Sequence, residues 1–207
     1  MPVDFKLYLI TDRRLFTDDH SLFTAIERAL KGGVKAVQLR EKDLEIRAVL
    51  HMAYVLRELT AGYGAKLFIN DRVDVALAVE ADGVHLGGSS MPAFAARKAA
   101  GEGMLIGVSA HSLREAEKAQ EEGVDFVTLG PVFETPSKLK YGKPLGLGLL
   151  KEVSAIISIP VFAVGGIKKE RVKNTLESGV SGIALISAIL GSENIQSNTE
   201  EFMRLLK

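Results

Sequence analysis

The feature that most constrains the fold of this chain is a regular alternation of short apolar segments with longer amphipathic ones. Eight short segments are spaced along the whole sequence, and most are continuously apolar rather than alternating in polarity. Continuous apolarity is typical of parallel strands that helices cover on both faces. The predicted strands are Leu7–Thr11, Ala36–Leu39, Leu67–Asn70, Gly83–Leu86, Leu105–Ser109, Phe126–Leu129, Val161–Val164 and Ile183–Ser187.

The amphipathic segments between these strands are predicted to be helices. Apolar residues recur at helical spacing from Leu22 to Leu30, and either Asp19 or Ser21 can serve as the N-cap. Ser112 and Glu115 have the spacing of a capping box. Further helices are predicted at Leu44–Leu59, Lys169–Glu177 and Thr199–Leu206, with a loose polar connection at Ser192–Asn198.

Eight strand and helix pairs without a linker or a change in composition favour one α/β domain, residues 1–207, folded as a single (β/α)8 TIM barrel. An open doubly wound sheet is the alternative fold. In a barrel, chemistry is expected where the strands end and the loops to the helices begin.

Composition narrows the classes of function. The 207 residues include 26 basic and 26 acidic side chains, so no overall field attracts nucleic acid or a membrane surface. Any phosphate site must therefore be local. The absence of Cys excludes thiolate catalysis and disulfides, and it fits a cytoplasmic location. The sequence contains neither a segment of signal-peptide character nor an apolar run of membrane-spanning length, as expected of a cytoplasmic protein.

Polar residues and glycines cluster at or just after the C-terminal ends of the predicted strands. They would converge on one rim of a barrel. The set is Asp12, Gln38, Arg40, Asn70, Asp71, His85, Ser109, His111, Gly130, Gly165, Gly166 and Ser187.

The segment from Gly130 to Lys138 has the character of an anion site. It follows a buried strand and combines a small-residue turn with two hydroxyls, Thr135 and Ser137, and the cation Lys138. Hydroxyls, backbone amides and a point charge are all suited to phosphate. An ordinary surface loop would have the same composition.

A second set of candidate phosphate ligands follows strand two. Gln38 and Arg40 point the same way in a strand, and Lys42 adds a second cation. Arginine suits bidentate contact with phosphate. The alternative is a salt bridge to Glu41 or Asp43, which would leave Gln38 without a partner.

The third predicted strand ends in Asn70 and Asp71. A carboxylate beside a phosphate site is a reasonable Mg²⁺ ligand, because Mg²⁺ takes one or two carboxylates together with water and phosphate oxygens. The alternative is that Asp71 caps the helix after it, and spacing alone favours the cap.

Three further features complete the predicted rim. Ser109 is a candidate substrate contact, whereas His85 and His111 lack the partners of a catalytic relay or a metal site and stay unassigned. Gly165-Gly166 and Ile186-Ser187 offer backbone amides after strands seven and eight, where barrels commonly hold a phosphate.

With these residues assembled, the chain resembles thiamine phosphate synthase and its TenI-like relatives over nearly its whole length. The matching blocks are Leu7–Asp12, Gln38–Lys42, Ile69–Val73, Val84–Gly87, Gly107–Ser112, Gly130–Lys138, Gly165–Ile167 and Ile186–Ala188. The resemblance implies a (β/α)8 barrel that joins hydroxymethylpyrimidine diphosphate to thiazole phosphate and releases pyrophosphate, with no protein nucleophile. Barrels of this kind often pair, so a homodimer is one expectation.

The resemblance also implies a role for each site residue. The diphosphate would be held by Arg40, Lys42, Asn70, Thr135 and Lys138, with the hydroxyl of Ser137 nearby. Asp71 would bind Mg²⁺, and Gln38 and Ser109 would contact the pyrimidine. Gly166, Ile186 and Ser187 would hold the thiazole phosphate. Arg40, Lys42 and Lys138 would be the catalytic cations.

Two departures from the family pattern leave alternative functions open. Where the synthases have Gln, a variable residue and a metal-binding Asp, this chain has Gly88, Ser89 and Ser90. The TenI-like thiazole tautomerase, which needs no Mg²⁺, has a catalytic His where this chain has Pro131. The alternatives to a synthase are therefore a tautomerase or an inert barrel that binds thiamine precursors.

Overall fold

The computed structural model describes residues 2–135 and 143–207. The strands are β1 (Leu7–Ile10), β2 (Ala36–Leu39), β3 (Lys66–Asn70), β4 (Gly83–Leu86), β5 (Leu105–Ala110), β6 (Phe126–Leu129), β7 (Val161–Val164) and β8 (Gly182–Leu185). The α-helices in the described residues are α1 (Asp19–Lys31), α2 (Ile46–Gly62), α3 (Val73–Ala78), α4 (Ala93–Ala100), α5 (Leu113–Glu121), α6 (Gly146–Ile156), α7 (Lys169–Leu176), α8 (Ser187–Leu190) and α9 (Ile195–Leu205). None of the helices in these two ranges has both the length and the apolar character of a membrane span.

The eight strands close into a barrel in chain order, and each is parallel to its neighbours. Closure is completed by pairing of β1 with β8, in the register Tyr8 to Ala184. The predicted (β/α)8 fold is confirmed, and the open sheet is excluded. Because all strands are parallel, their C-terminal ends meet at one end of the barrel, which we call the mouth.

Phe5, just before β1, and residues of four strands fill the barrel interior with aromatic rings. We call Phe5, Tyr8, Phe68, Phe126 and Phe162 the aromatic floor; their neighbouring ring centroids lie 5.0 to 6.4 Å apart. Glycines on adjacent strands leave room for these rings: a Cβ on Gly107 would lie 2.3 Å from Cζ of Phe126. Gly83 and Gly182 make room for Phe68 and Phe162 in the same way. The interior is therefore a packed core that ends below the mouth.

The other strand residues form a larger apolar layer with the helices. In α1, Leu22 and Ile26 are fully buried, which confirms the predicted apolar face. The predicted N-cap was wrong, however: Asp18 accepts a hydrogen bond from the Ser21 amide at 2.8 Å, so the cap lies one residue before Asp19 and three before Ser21. The capping box is confirmed in its first half, since Ser112 Oγ accepts from the Glu115 amide at 3.2 Å.

Two predicted boundaries near the C-terminus were wrong. The segment predicted as a loose connection contains the start of α9, where Asn194 accepts a hydrogen bond from the Ser197 amide at 3.1 Å and Ile195 is buried. Strand β8 ends at Leu185, and Ser187 instead begins α8. The polar segment around Asn194 becomes helical where Ile195 packs into the apolar layer, and α8 begins where Ile189 and Leu190 pack into the same layer.

A candidate phosphate-binding site at the barrel mouth

The predicted site residues in the described ranges lie at the mouth. Each belongs to the last residues of a strand or to the loop that follows it: Gln38, Arg40 and Lys42 at β2, Asn70 and Asp71 at β3, Ser109 in β5, Thr135 after β6, Gly166 after β7, and Ile186 and Ser187 after β8. Ser137 and Lys138 lie outside the described residues.

Hydrogen bonds connect the site residues of β2 and β3. Gln38 is buried and donates from Nε2 to Oδ1 of Asn70 at 3.1 Å. The Asn70 amide in turn donates to Oδ2 of Asp71 at 2.7 Å. Gln38 thus has the partner that it needs, and the chain of amides orients the Asp71 carboxylate.

The turn after β4 brings Ser90 onto the same carboxylate. Ser90 Oγ donates to Oδ1 of Asp71 and accepts a hydrogen bond from the Gly87 amide at 2.6 Å. The Ser90 amide closes the turn by donating to the Gly87 carbonyl at 3.0 Å. Ser90, one of the departures from the family pattern described above, therefore faces Asp71 directly.

Asp71 does not cap the helix that follows it, so the interpretation that spacing favoured was wrong. The residue before α3 is Arg72, and no side chain caps the helix start. Asp71 itself has φ of 63°, a left-handed conformation that is uncommon outside glycine. This backbone turn directs the carboxylate toward Ser90 and Lys42, whose Nζ lies 3.9 Å from Oδ2.

Arg40 does not form the salt bridge to Glu41 or Asp43 that was the alternative to a phosphate ligand. Its guanidinium forms no ion pair within the described ranges, because Asp43 pairs with Arg13 at 2.8 Å and Glu41 faces elsewhere. Asp12, whose charge also interacts with Arg40, is bonded to Arg14, and this bond lowers the pKa of Asp12. The mouth therefore presents a cation whose charge is available to an anionic ligand.

Sequence reasoning missed the role of Glu41, which holds the loops after β1 and β2 together. Glu41 is only 8% exposed and accepts hydrogen bonds from Thr11 Oγ1 at 2.5 Å and from the Arg13 amide at 3.2 Å. Thr11 Oγ1 also accepts from the Arg40 amide at 2.9 Å. Burial raises the pKa of Glu41. The position of Glu41 between Arg40 and Lys42 in the sequence was the signal that could have indicated a role in the site. Its burial, however, depends on the tertiary structure.

The loops after β6 and β7 run side by side. The amides of Val132 and Phe133 donate to the carbonyls of Val164 and Gly165 at 2.9 and 3.1 Å. Gly165 and Gly166 have φ of 98° and 66°, and a Cβ on Gly166 would lie 2.6 Å from the Glu134 carbonyl oxygen. The predicted glycine turn is thus a place where two backbones approach too closely for any side chain.

Arg171 contacts both of these loops. Its Nη1 donates to the Gly166 carbonyl at 2.6 Å, and its guanidinium lies 4.6 Å from the centroid of the Phe133 ring. On the neighbouring strand, the first bond of α8 runs from the Ile189 amide to the Ile186 carbonyl at 3.1 Å. The Ser187 and Ala188 amides precede that bond, as backbone donors at a helix start do.

The two histidines near the mouth have different environments. His111 Nδ1 donates to the Gly130 carbonyl at 2.5 Å and so ties the loop after β5 to the loop after β6. His85 is buried below the mouth, and burial, followed by the nearby charge of Arg40, lowers its pKa to about 3. No acid is bonded to either ring within the described ranges.

Comparison with known proteins gives one consistent result. The model of the thiamine monophosphate synthase family matches residues 7–189. The thiamine-phosphate synthase of Clostridium novyi is 48% identical over 95% of this chain and 96% of its own length. That of Halalkalibacterium halodurans is 43% identical, over 99% of this chain and 96% of its own.

A solved structure extends the likeness to three dimensions. The thiamine phosphate pyrophosphorylase of Pyrococcus furiosus superposes with a TM-score of 0.88, at 41% identity, over 98% of this chain and 95% of its own. The match to the family model extends from β1 into α8 and includes the sequence of every loop of the mouth. This chain belongs to the thiamine monophosphate synthase family.

Proposed function

We propose that this chain is a thiamine-phosphate synthase, which joins hydroxymethylpyrimidine diphosphate to thiazole phosphate and releases pyrophosphate. The observation that carries the proposal is the grouping of Arg40, Lys42, Asn70 and Asp71 at one mouth, in a chain 40–50% identical to synthases along its length. Two cations beside an oriented carboxylate form a set suited to a diphosphate with a divalent cation.

The diphosphate is assigned to the side of the mouth formed by the loops after β2 and β3. Arg40 and Lys42 supply positive charge there, and Asn70 supplies an amide that is already oriented through Gln38. Thr135, together with Ser137 and Lys138 beyond the described residues, is assigned to the same group by its place in the family pattern. Gln38 and Ser109 are assigned to the pyrimidine ring.

The residues present fit Mg²⁺ at the lower limit of what this ion requires. Asp71 supplies one partly exposed carboxylate. The hydroxyl of Ser90 is bonded to Oδ1 of Asp71 and adds a second oxygen. Mg²⁺ can bind through a single carboxylate when water and substrate phosphate fill the other positions. The described residues contain no cluster of three acidic or histidine ligands, so most of the coordination would come from the substrate. When bound, the ion supplies charge that stabilises the departing pyrophosphate.

The thiazole phosphate is assigned to another side of the mouth, formed by the loops after β7 and β8. Gly166 lets backbone approach closely, and the amides near Ile186 and Ser187 begin a short helix. Backbone N–H groups that point away from a helix start are suited to a phosphate. Two phosphorylated substrates would then meet over the centre of the mouth.

The chemistry requires that the carbon–oxygen bond to pyrophosphate breaks and that a carbon–nitrogen bond to the thiazole forms. Arg40 and Lys42 stabilise negative charge as it develops on the leaving group, which is where fixed cations lower a barrier most. The aminopyrimidine stabilises the cation left behind, and the thiazole nitrogen traps it. The chain thus positions and stabilises both reactants without a protein nucleophile.

The test is a coupled assay with both substrates that measures released pyrophosphate, with Mg²⁺ and with chelator. We expect turnover with Mg²⁺ and none with chelator. Isomerisation of the thiazole substrate that continues in chelator would replace the proposal with the tautomerase. Binding of both substrates without turnover would replace it with an inert binder.

Ser90→Asp tests the assignment of Asp71 to the metal. Because Ser90 contacts Asp71, a carboxylate at position 90 would add a second charged ligand beside it. We expect the Mg²⁺ concentration at half-maximal rate to fall, with Ser89→Asp, one residue away in the same turn, as the matched control. An unchanged Mg²⁺ requirement in Ser90→Asp would exclude Asp71 as the metal ligand.

A further inference from the structure

A buried group of polar side chains lies directly below the proposed pyrimidine site and has no part in the chemistry described above. His85 is 2% exposed and lies within β4. Its Nδ1 lies 3.4 Å from the Tyr8 hydroxyl, and its Nε2 lies 3.0 Å from Ser109 Oγ and 3.4 Å from Thr128 Oγ1. One imidazole therefore connects the aromatic floor to a candidate substrate contact.

The Tyr8 hydroxyl determines which nitrogen of His85 carries the proton. Tyr8 is fully buried among the rings of Phe5, Phe68 and Phe126, and within the described ranges the acceptor bonded to its hydroxyl is His85 Nδ1. A buried hydroxyl that accepted from Nδ1 would leave its own proton without a partner, which is costly. The favoured arrangement has Tyr8 donating to Nδ1, so that the ring proton is on Nε2.

The protonation states keep this arrangement constant near neutral pH. Burial raises the pKa of the Tyr8 hydroxyl well above its ordinary value, so the hydroxyl keeps its proton. Burial also lowers the pKa of His85 to about 3, so the imidazole is neutral with one donor and one acceptor nitrogen. A neutral ring transmits the direction of a hydrogen bond from one side to the other.

The hydroxyl of Ser109 is then left to donate outward. Its oxygen receives the Nε2 proton of His85 at 3.0 Å and a hydrogen bond from Thr128 Oγ1 at 3.4 Å. Both lone pairs of Ser109 Oγ are therefore occupied. Its own hydroxyl proton is not accepted by His85 Nε2 or by Thr128 Oγ1. His85 pairs with Gly107 in the sheet, so Ser109 is two residues closer to the mouth and is partly exposed.

We propose that Tyr8 and His85 are positioning residues that fix Ser109 as a hydrogen-bond donor toward a lone-pair-bearing atom of the substrate ring. The proposal rests on the proposed function for the identity of that ring as a pyrimidine. It predicts selectivity for a ring that accepts a hydrogen bond at this position, because a ring that presents an N–H there would face a donor.

The proton position can be measured without any substrate. In ¹⁵N-labelled wild-type protein at neutral pH, the side-chain nitrogen spectrum of His85 should show a protonated Nε2 and an unprotonated Nδ1. His85 can be assigned among the four histidines by its loss in His85→Gln. In Tyr8→Phe, which removes a single oxygen, the proton should move partly to Nδ1. A wild-type proton on Nδ1, or a doubly protonated ring, would overturn the proposal.

The kinetic test is a double-mutant cycle with both substrates and Mg²⁺. Tyr8→Phe should lower kcat/KM about two- to tenfold, as expected for one neutral hydrogen bond. In a Ser109→Ala background the same change should have no further effect, because Tyr8 acts through Ser109. Losses that multiply would instead mean a general structural role and would overturn the proposal. Tyr54→Phe, the same change on exposed helix α2, should leave kcat/KM unchanged.

Failure of this proposal is distinguishable from failure of the proposed function. If wild-type protein shows no synthase turnover, the proposed function fails, and the nitrogen spectrum still reports the proton position. If turnover is present and the spectrum shows the proton on Nδ1, the positioning role fails alone.

Discussion

At the scale of single residues, the mouth contains charged groups of two kinds. Asp12 and Asp43 are neutralised by neighbouring arginines, and Glu41 is buried under hydroxyl and amide donors. Arg40 has no such partner within the described ranges, and Lys42 is 3.9 Å from its nearest acid. Groups that are satisfied within the protein support the site, whereas Arg40 is left to meet a ligand and Lys42 forms one long ion pair with Asp71.

Arg40→Gln should therefore lower activity without affecting folding. We expect kcat to fall about 10²- to 10³-fold, as for loss of one group that stabilises transition-state charge. The free energy of unfolding should change by less than about 0.5 kcal/mol, because no ion pair within the described ranges is lost. Steady-state kinetics and urea unfolding give the two values.

Arg204→Gln, on the exposed face of α9, is the matched control and should change neither value. A loss of stability in Arg40→Gln equal to its loss of activity would show that Arg40 is structural.

His85 should make stability depend on pH. Burial, then Arg40 and Lys42, lower its folded pKa to about 3, while Asp71 partly opposes them. An unfolded chain binds a proton at His85 near its ordinary pKa of about 6.5. Stability is therefore present above that pKa and is lost as pH falls from there toward the folded pKa. Between pH 7 and pH 5 the loss from this residue should be about 2 kcal/mol.

The measurement is urea unfolding at both pH values for wild type and His85→Gln. The variant should lack this part of the dependence, since Gln does not titrate. Equal slopes in the two proteins would mean that His85 is not kept neutral by the fold.

At the scale of elements, the loops after β6 and β7 act as one unit. Their backbones are bonded from Val132 to Gly165, and the loop returns to β6 through bonds from Leu145 and Gly146 to Pro131 and Val132. This pairing places Phe133 and Glu134 next to Gly166 at the proposed thiazole phosphate site. A substitution that shifts the backbone of one loop should therefore also shift the other.

Gly166→Ala tests this coupling. The added Cβ would meet the Glu134 carbonyl oxygen at 2.6 Å, in a backbone conformation that alanine rarely adopts. We expect stability to fall by about 1–3 kcal/mol. The KM for thiazole phosphate should rise more than the KM for the pyrimidine substrate.

Gly148→Ala is the matched control for this change. Gly148 lies in α6 with open space around it, so alanine should raise stability by about 0.4–1 kcal/mol. Equal effects on the two KM values in Gly166→Ala would contradict the assignment of the two sides of the mouth.

At the scale of the whole molecule, barrel closure joins residues far apart in the chain into one binding surface. Arg40 and Ser187 are separated by most of the sequence, but both follow strands whose C-terminal ends meet at the mouth. A ligand that bridges several strands should stabilise the entire barrel, because it binds only the folded state.

Pyrophosphate and Mg²⁺ together should therefore raise the Tm more than either alone. At about one hundred times Kd the stabilisation is about 2.7 kcal/mol. For a chain of this size, that corresponds to a shift of about 5–10 °C. Thermal unfolding with pyrophosphate, Mg²⁺, both, and both with chelator provides the test. Identical shifts with and without Mg²⁺ would contradict a joint site.

Sequence patterns were sufficient for the strands and for placing the candidate residues at the mouth. Continuous apolar runs predicted all eight strands to within two residues, because each buried strand must be apolar on both faces. The pattern failed where few residues decide the structure, as at Asn194 and Ile195. It also favoured a cap for Asp71, which instead contacts Ser90 through a left-handed turn.

The sequence by itself determined that the chain forms a parallel barrel and which polar residues reach its mouth, since both follow from local apolarity and strand order. Only the tertiary structure decided the hydrogen-bond partners around the mouth. Ser90 bonds to Asp71, Thr11 to Glu41, and Tyr8 to His85. These contacts join strands or loops that are distant in sequence. Their geometry depends on strand register and closure, which no local pattern encodes.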